Sequence, residues 1–193
     1  MRTIVFDTET KNIFSDVASN DPAALDLSVV CIWDSETDKY SSYFEEDLPK
    51  LWPIIEKADA LVGFNSDHFD IPLMNKYYPG DLTKVHSVDI MKAVKESLGR
   101  RIKLDSIAEA TLGTKKIGHG LDAIVWWRNK ELDKLVKYCI EDVKITKDVY
   151  EYALKHKELK FIDKITGAIR SIPINTASWS PKKVEGMGTG SLF

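Results

Sequence analysis

The chain has 193 residues, of which 44% are hydrophobic and 30% charged, and its formal net charge is −3. These values predict a folded domain with a substantial core and exclude a disordered chain. The charge excludes strong nonspecific attraction to nucleic acid but not a local basic patch. No apolar run approaches the about 20 residues that cross a bilayer, so we expect no membrane segment. The chain begins with a strand pattern, and Cys31 and Cys139 lack metal-type spacing, so we expect a cytoplasmic protein with reduced thiols.

The amino-terminal half has the pattern of strands separated by short helices. Strands are predicted over residues 3–7, 28–33, 39–44, 58–63 and 85–88. Because turn residues join the second and third, the first three should form an antiparallel meander. Helices are predicted over 47–58 and 70–77. Pro49 suits the first turn of the former, whereas Pro53 implies a late start or a kink.

The remaining segments are predicted to be mostly helical. Helices are expected over 89–98, 104–112, 121–128 and 131–156. The predicted fold class is therefore α/β, with a mixed five-stranded sheet flanked by helices. Alternating runs around Thr166 and Gly167 predict a carboxy-terminal β-hairpin over 158–175. We thus expect a domain at 1–157, an appended hairpin, and a flexible tail at 176–193.

Two acids follow the first apolar strand in the sequence IVFDTET. Residues i and i+2 of a strand face the same side, so Asp7 and Glu9 should project together if the strand continues through Thr8. Like charges at close range are costly unless a cation or a proton lies between them, and Mg²⁺ and Mn²⁺ prefer such oxygen ligands. The alternative is a strand end that passes into a polar loop.

The sequence GFNSDHFDIPLM again places polar residues after an apolar strand. Asp70 precedes Ile71 and Pro72, so it either caps a helix or serves the same site as the first two acids. Asn65 could cap a helix or bind a ligand. Asp89 is interpreted as an acid at a helix amino terminus, with a fifth acid of the site as the alternative.

The longest predicted helix carries an aspartate on its inward face. Leu135, Tyr138, Asp142, Ile145 and Val149 follow helical spacing, and an unpaired carboxylate on a buried face is expensive. Tyr138 lies one turn before Asp142 on that face. A partly exposed acid beside a core tyrosine is the alternative.

In combination, FDTET, GFNSDHFDIP and YCIED resemble the three exonuclease motifs of the DEDD (DnaQ-like) 3′–5′ exonucleases. The second motif has the form found in proofreading domains of family B DNA polymerases. The third has Tyr-x-x-x-Asp, as in the tyrosine subclass. The resemblance covers about residues 1–156 and is closest to a group of bacterial or archaeal exonucleases, some attached to helicases. It implies a ribonuclease H-like fold.

The resemblance also implies the roles of individual residues. Asp7, Glu9, Asp70 and Asp142 would hold two divalent ions, Mg²⁺ or Mn²⁺, and Tyr138 would orient the attacking water. Substrate contacts are expected from Thr8, Asn65, His68, Phe69 and Lys103. Lys103 belongs to a basic cluster with Arg100 and Arg101, for which a solvated helix rim is the alternative. Core packing is the alternative for Phe69, and an exposed loop position for His68.

The expected function is metal-dependent hydrolysis of single-stranded DNA or RNA from 3′ ends, with DNA favoured and nucleoside 5′-monophosphates as products. A helicase or polymerase is a candidate partner, and a monomer is expected. The rival hypotheses are a nucleic-acid-binding accessory module of a helicase or repair complex, with weak or no nuclease activity, and an endonuclease.

Overall fold

The computed structural model describes residues 1–114, 120–163 and 165–180. Its seven strands are β1 (Thr3–Thr10), β2 (Leu27–Asp34), β3 (Lys39–Phe44), β4 (Ala60–Gly63), β5 (Ser87–Asp89), β6 (Glu158–Ile162) and β7 (Ile169–Pro173). Its seven α-helices are α1 (Phe14–Val17), α2 (Leu48–Ile55), α3 (Asp70–Asn75), α4 (Ile90–Leu98), α5 (Leu104–Leu112), α6 (Gly120–Arg128) and α7 (Leu132–His156). These numbers of strands and helices refer to the described ranges alone.

The main sheet has five strands in the order β3-β2-β1-β4-β5. The predicted meander is confirmed, since β2 pairs antiparallel with both β1 and β3. β4 is parallel to β1, and β5 is parallel to β4, which makes the sheet mixed as predicted. β1 is therefore the central strand, and its carboxyl end lies at the same edge of the sheet as those of β4 and β5.

Both faces of the sheet are covered, as expected for a sheet flanked by helices. Successive side chains of β1 alternate between the two faces: Val5 joins a core with α7, α5 and the hairpin, whereas Ile4 and Phe6 join a second core with α2 and α3. All eight residues of β2 are buried, so this strand is packed on both sides. The two cores fix α7 on one face of β1 and α3 on the other.

The predicted helices are confirmed, with ends that differ from the expected ones by at most a few residues. Gly99 and Gly113 end α4 and α5 in the left-handed conformation (φ 75° and 72°), which glycine adopts without strain. The late start proposed for the helix around Pro53 is wrong. This helix begins at Leu48 with Pro49 in its first turn, and Pro53 lies inside it.

The predicted carboxy-terminal hairpin is present as β6 and β7, which pair antiparallel. Leu159 and Phe161 belong to the same core as α7. Trp179, in the segment predicted to be a tail, is 4% exposed and stacks on Tyr150 with ring centroids 5.4 Å apart. Residues 181–193 of that segment lie outside the described residues. The division of the chain into domain, hairpin and tail therefore stays a prediction.

Within the described ranges, each helix is too short or too polar to span a membrane.

Candidate active site

The first two acids project from the central strand, as the spacing predicts. β1 continues through Thr8 to Thr10, so Asp7 and Glu9 lie on the same face, and both are half-buried. β4 pairs with β1 only as far as Val5, whereas β2 accompanies β1 to its end. Beyond Val5, β1 therefore has no neighbour among the described strands on the β4 side, and we call this unpaired part of the sheet edge the crevice.

Helix α7 brings the third carboxylate to this crevice. Tyr138 and Asp142 are each 5% exposed and lie on the helix face that packs against the sheet, which confirms the inward face inferred from the helical spacing. Ligand oxygens of Asp7, Glu9 and Asp142 all lie within 4.8 Å of one another. Three clustered carboxylates repel one another strongly unless a cation is present, and hard oxygen ligands suit a divalent ion. The chemistry of this donor set therefore fits a Mg²⁺- or Mn²⁺-type site.

Asp70 is held beside the crevice by Thr8, and it lies outside the three-acid cluster. Its Oδ1 accepts hydrogen bonds from the Thr8 backbone N–H at 3.0 Å and from the Thr8 hydroxyl at 2.6 Å. Phe69 is the N-cap of α3, and Asp70 is the first residue inside the helix. Asp70 therefore does not cap this helix, which was the alternative. Burial raises the pKa of Asp70 to about 6, although the hydrogen bonds from Thr8 favour the charged form.

Sequence reasoning missed Cys139, which supports the first acid from α7. Its thiol donates to the Asp7 backbone oxygen at 3.5 Å and lies 3.7 Å from the Asp7 carboxylate Oδ2. Burial, together with the neighbouring Cys31 thiol, holds the pKa of Cys139 well above its ordinary value, so this thiol stays neutral. The inward helical spacing of Cys139 could have indicated a buried position, but not its contact with an acid on another element.

Trp126 of α6 packs edge-on against Tyr138, with ring centroids 5.6 Å apart. This contact restricts the orientation of the tyrosine ring. The neighbouring Trp127 has different partners. The ammonium groups of Lys11 and Lys130 lie over its ring, 5.1 and 5.0 Å from the ring centroid. Both indoles therefore have partners within the protein.

Asp89 anchors the loop between β4 and α3. It caps α4, as the sequence indicated, by accepting from the Lys92 amide, and it also accepts from the backbone N–H groups of Asn65 at 2.8 Å and Asp67 at 3.2 Å. Asn65 adopts a left-handed conformation (φ 67°), which asparagine tolerates better than most residues. This anchoring role was missed, because the sequence shows only a helix-capping position.

The expected substrate-contact residues lie in different surroundings. Asn65 and the exposed His68 line a cavity of about 270 Å³. The Phe69 ring packs edge-on against Phe14 at 6.2 Å, and Thr8 is engaged by Asp70. Lys103 is exposed and lines a second cavity, at the start of α5. The structure thus places Asn65, His68 and Lys103 at cavities, and Thr8 and Phe69 in internal contacts.

A family model described as the RNase_H superfamily matches residues 4–154, which run from β1 through most of α7 and include all four acids. The chain belongs to the ribonuclease H superfamily. No curated protein sequence matches it. Membership in this superfamily supports a nuclease-type function, and the acidic cluster agrees with the divalent cations that such nucleases use.

Among solved structures, this ribonuclease H superfamily member is similar to the family B DNA polymerase from the hyperthermophilic archaeon Pyrobaculum calidifontis. The TM-score is 0.62 and the sequence identity 18%, and the match covers 80% of this chain and 24% of the polymerase chain. The chain thus spans about a quarter of the polymerase, and the likeness is one of fold. The ribonuclease H-like fold, with its mixed five-stranded sheet and added carboxy-terminal hairpin, is as predicted.

Proposed function

We propose that the protein is a metal-dependent 3′–5′ exonuclease that removes nucleoside 5′-monophosphates from single-stranded ends, with DNA favoured over RNA. The observation that carries the proposal is the convergence of Asp7, Glu9 and Asp142, with oxygens within 4.8 Å of one another, beside the buried Tyr138. Phosphodiester hydrolysis needs concentrated negative ligands for cations and a group that orients water, and this edge of the sheet supplies both.

The carboxylates of Asp7, Glu9 and Asp142 would hold one divalent ion, and Asp70 would support a second with Asp7. When bound, such ions activate water and stabilise the negative charge that develops on the phosphate and the leaving oxygen. Mg²⁺ and Mn²⁺ are the ions that match an all-carboxylate donor set. The Cys139 thiol, 3.7 Å from the Asp7 Oδ2, would help to hold this carboxylate in place.

Tyr138 has the role of orienting the attacking water. A phenol hydroxyl stays protonated near neutral pH, so it positions water by hydrogen bonding without adding another negative charge. Water attacks the terminal phosphorus, and the bond to the 3′ oxygen of the preceding nucleotide breaks. That oxygen takes up a proton, and the released nucleotide keeps its 5′ phosphate.

The substrate end would enter as a single strand, because a stacked duplex hides its terminal phosphodiester. Asn65 and His68, on the loop between β4 and α3, line the smaller cavity, so they are the proposed contacts to the terminal nucleotide. Thr8 and Phe69 would act by holding Asp70 and this loop in place through their internal contacts. Within a larger assembly, a helicase or polymerase would supply such single-stranded ends.

The test is hydrolysis of 5′-labelled single-stranded DNA and RNA with Mg²⁺ or Mn²⁺. The expected result is a ladder that shortens from the 3′ end, that is lost with EDTA, and that is absent for Asp142→Asn. Glu141→Gln is the matched control, since Glu141 is the adjacent acid and lines a cavity on a different face of α7. Oligonucleotide products would indicate an endonuclease, and binding without cleavage would indicate an accessory module, so either result would overturn the proposal.

A further inference from the structure

Two neighbouring cavities share Arg101, on the loop between α4 and α5. The smaller one, of about 270 Å³, is also lined by Asn65 and His68 of the loop that leads to Asp70. The larger one, of about 530 Å³, lies between the same arginine, α5 and Phe161 of the hairpin. The two cavities are therefore adjacent, and we call the surface that they line, from Asn65 to Phe161, the path.

Of the three cations that line the smaller cavity, Lys92, Lys95 and Arg101, only Lys92 is paired with one of its acids in the part of the chain that the structure describes. Asp89 is occupied by three backbone N–H groups, and Asp67 forms an ion pair with Lys92 at 3.0 Å. Lys95 and Arg101 have no ion-pair partner within the residues that the structure describes. The smaller cavity therefore offers two cationic groups to a ligand, although its lining contains two carboxylates.

The cations and the acids of the larger cavity come from different elements. Besides the shared arginine, the loop contributes Arg100 and Lys103, both exposed, whereas the acids of the cavity, Asp105 and Glu109, lie on α5. The Arg100 guanidinium lies over the Phe161 ring, 5.3 Å from its centroid, and both residues line the cavity. The three cations thus follow the loop itself and continue the positive charge of the smaller cavity.

We propose that this path binds the sugar–phosphate backbone of a single strand, on the 5′ side of the nucleotide at the acid cluster, with Arg101 at its centre. The direction of the strand rests on the proposed exonuclease function, because only a 3′ end at the acids places the upstream phosphates along the loop. Arginine donates two parallel hydrogen bonds to a phosphate, and cations that are hydrated and unpaired in the free protein gain most from replacing counterions on the strand.

Binding is measured by fluorescence anisotropy with labelled oligothymidylate and oligouridylate dodecanucleotides in EDTA, where metal-dependent hydrolysis cannot proceed. Loss of one phosphate contact reduces the slope of log affinity against log salt by about 0.7, which corresponds to about fivefold weaker binding at about 0.1 M salt. Arg101→Ala should show this loss for both sugars. Arg101→Lys should retain most of the slope, because the positive charge is kept.

Lys57→Ala is the matched control. Lys57 is exposed and precedes β4, so it lies at the edge of the sheet opposite to the acids. Equal affinities and salt slopes for Arg101→Ala, Lys57→Ala and the unchanged protein would overturn the proposal, as would failure of the unchanged protein to bind either strand. Thermal unfolding of each variant checks that the fold is retained.

Hydrolysis with Mg²⁺ provides a separate readout. If both proposals hold, Arg101→Ala raises KM for the dodecanucleotide and leaves cleavage of a dinucleotide unchanged, because a dinucleotide does not reach the loop. If binding depends on Arg101 but the unchanged protein cleaves neither strand, the path stands and the exonuclease proposal fails. If cleavage is robust and both substrates respond equally to Arg101→Ala, the path fails and the exonuclease proposal stands.

Discussion

The substitution Asp70→Asn should make the metal-free protein more stable at neutral pH while it removes a carboxylate that the proposed function needs. Asp70 is 5% exposed and has no ion-pair partner among the described residues, and its carboxylate accepts two hydrogen bonds from Thr8. Asparagine keeps an oxygen acceptor for both Thr8 donors and carries no charge. The substitution therefore isolates the free-energy cost of a buried charge in the absence of a cation.

The size of this cost follows from the pKa of Asp70. Burial raises that pKa from 3.8 to about 6. Since one pKa unit corresponds to about 1.4 kcal/mol, the charged carboxylate lowers the free energy of unfolding by about 3 kcal/mol at neutral pH. Because the folded state binds the proton more tightly than the unfolded state, the stability of the metal-free protein should fall as pH rises from 3.8 to about 6. Between about pH 4.5 and about pH 7.5, the fall attributable to Asp70 is about 2 kcal/mol.

The assay is urea unfolding in EDTA at these two pH values, for the unchanged protein and for Asp70→Asn. The new amide nitrogen costs about 1–3 kcal/mol if it lacks an acceptor, but this cost does not depend on pH and cancels from the comparison. The stability of the variant relative to the unchanged protein should rise by about 2 kcal/mol from the lower pH to the higher. A relative stability that is the same at both values would refute the reasoning about burial. Added Mg²⁺ should stabilise the unchanged protein more than the variant.

Three further predictions concern the orienting tyrosine, a close approach of the backbone and an ion pair. Tyr138→Phe should lower kcat by about a hundredfold and leave strand binding unchanged, because the substitution removes the hydroxyl and keeps the ring. Single-turnover hydrolysis measures the first effect, and fluorescence anisotropy measures the second. Gly63→Ala should destabilise the fold by about 1–3 kcal/mol in urea unfolding, because a Cβ there would lie 2.5 Å from the Ser66 Cβ. Asp34→Asn should cost about 1–3 kcal/mol at neutral pH, because Arg2 donates to this carboxylate at 2.7 and 3.2 Å and holds its pKa below the ordinary value.

Each of these predictions has a control or a contrary result. Gly120→Ala is the control for Gly63, since among the described residues no atom beyond the glycine's chain neighbours and its own helix backbone lies within 4 Å of a Cβ at position 120. The effect of Asp34→Asn should shrink as pH falls below 3.8, because the folded carboxylate then also becomes protonated. A pH-independent effect would contradict the ion-pair account. Equal losses of binding and kcat for Tyr138→Phe would indicate a packing role instead of orientation of water.

Local sequence patterns were sufficient to predict the elements and the faces of the acids. A strand has a side-chain period of two and an α-helix a period of 3.6, so the positions of Asp7, Glu9 and Asp142 relative to their own backbones follow from spacing. The resemblance of the three motifs then predicted that these acids meet. The structure brings their oxygens within 4.8 Å of one another, although it leaves Asp70 outside this cluster and bonded to Thr8.

What the sequence by itself determined is the order of strands and helices and the inward direction of the acids, because these depend on neighbours within one or two turns. Only the tertiary structure decided which distant groups serve the site. Thr8 holds Asp70 across 62 positions, Asp89 anchors Asn65 across 24, and the Cys139 thiol reaches Asp7 across 132. Such contacts depend on how elements pack in three dimensions, and no periodicity within a single element records them. The same is true of the path that Arg101 joins, which exists only because the loop before α5 lies beside both the hairpin and the loop after β4.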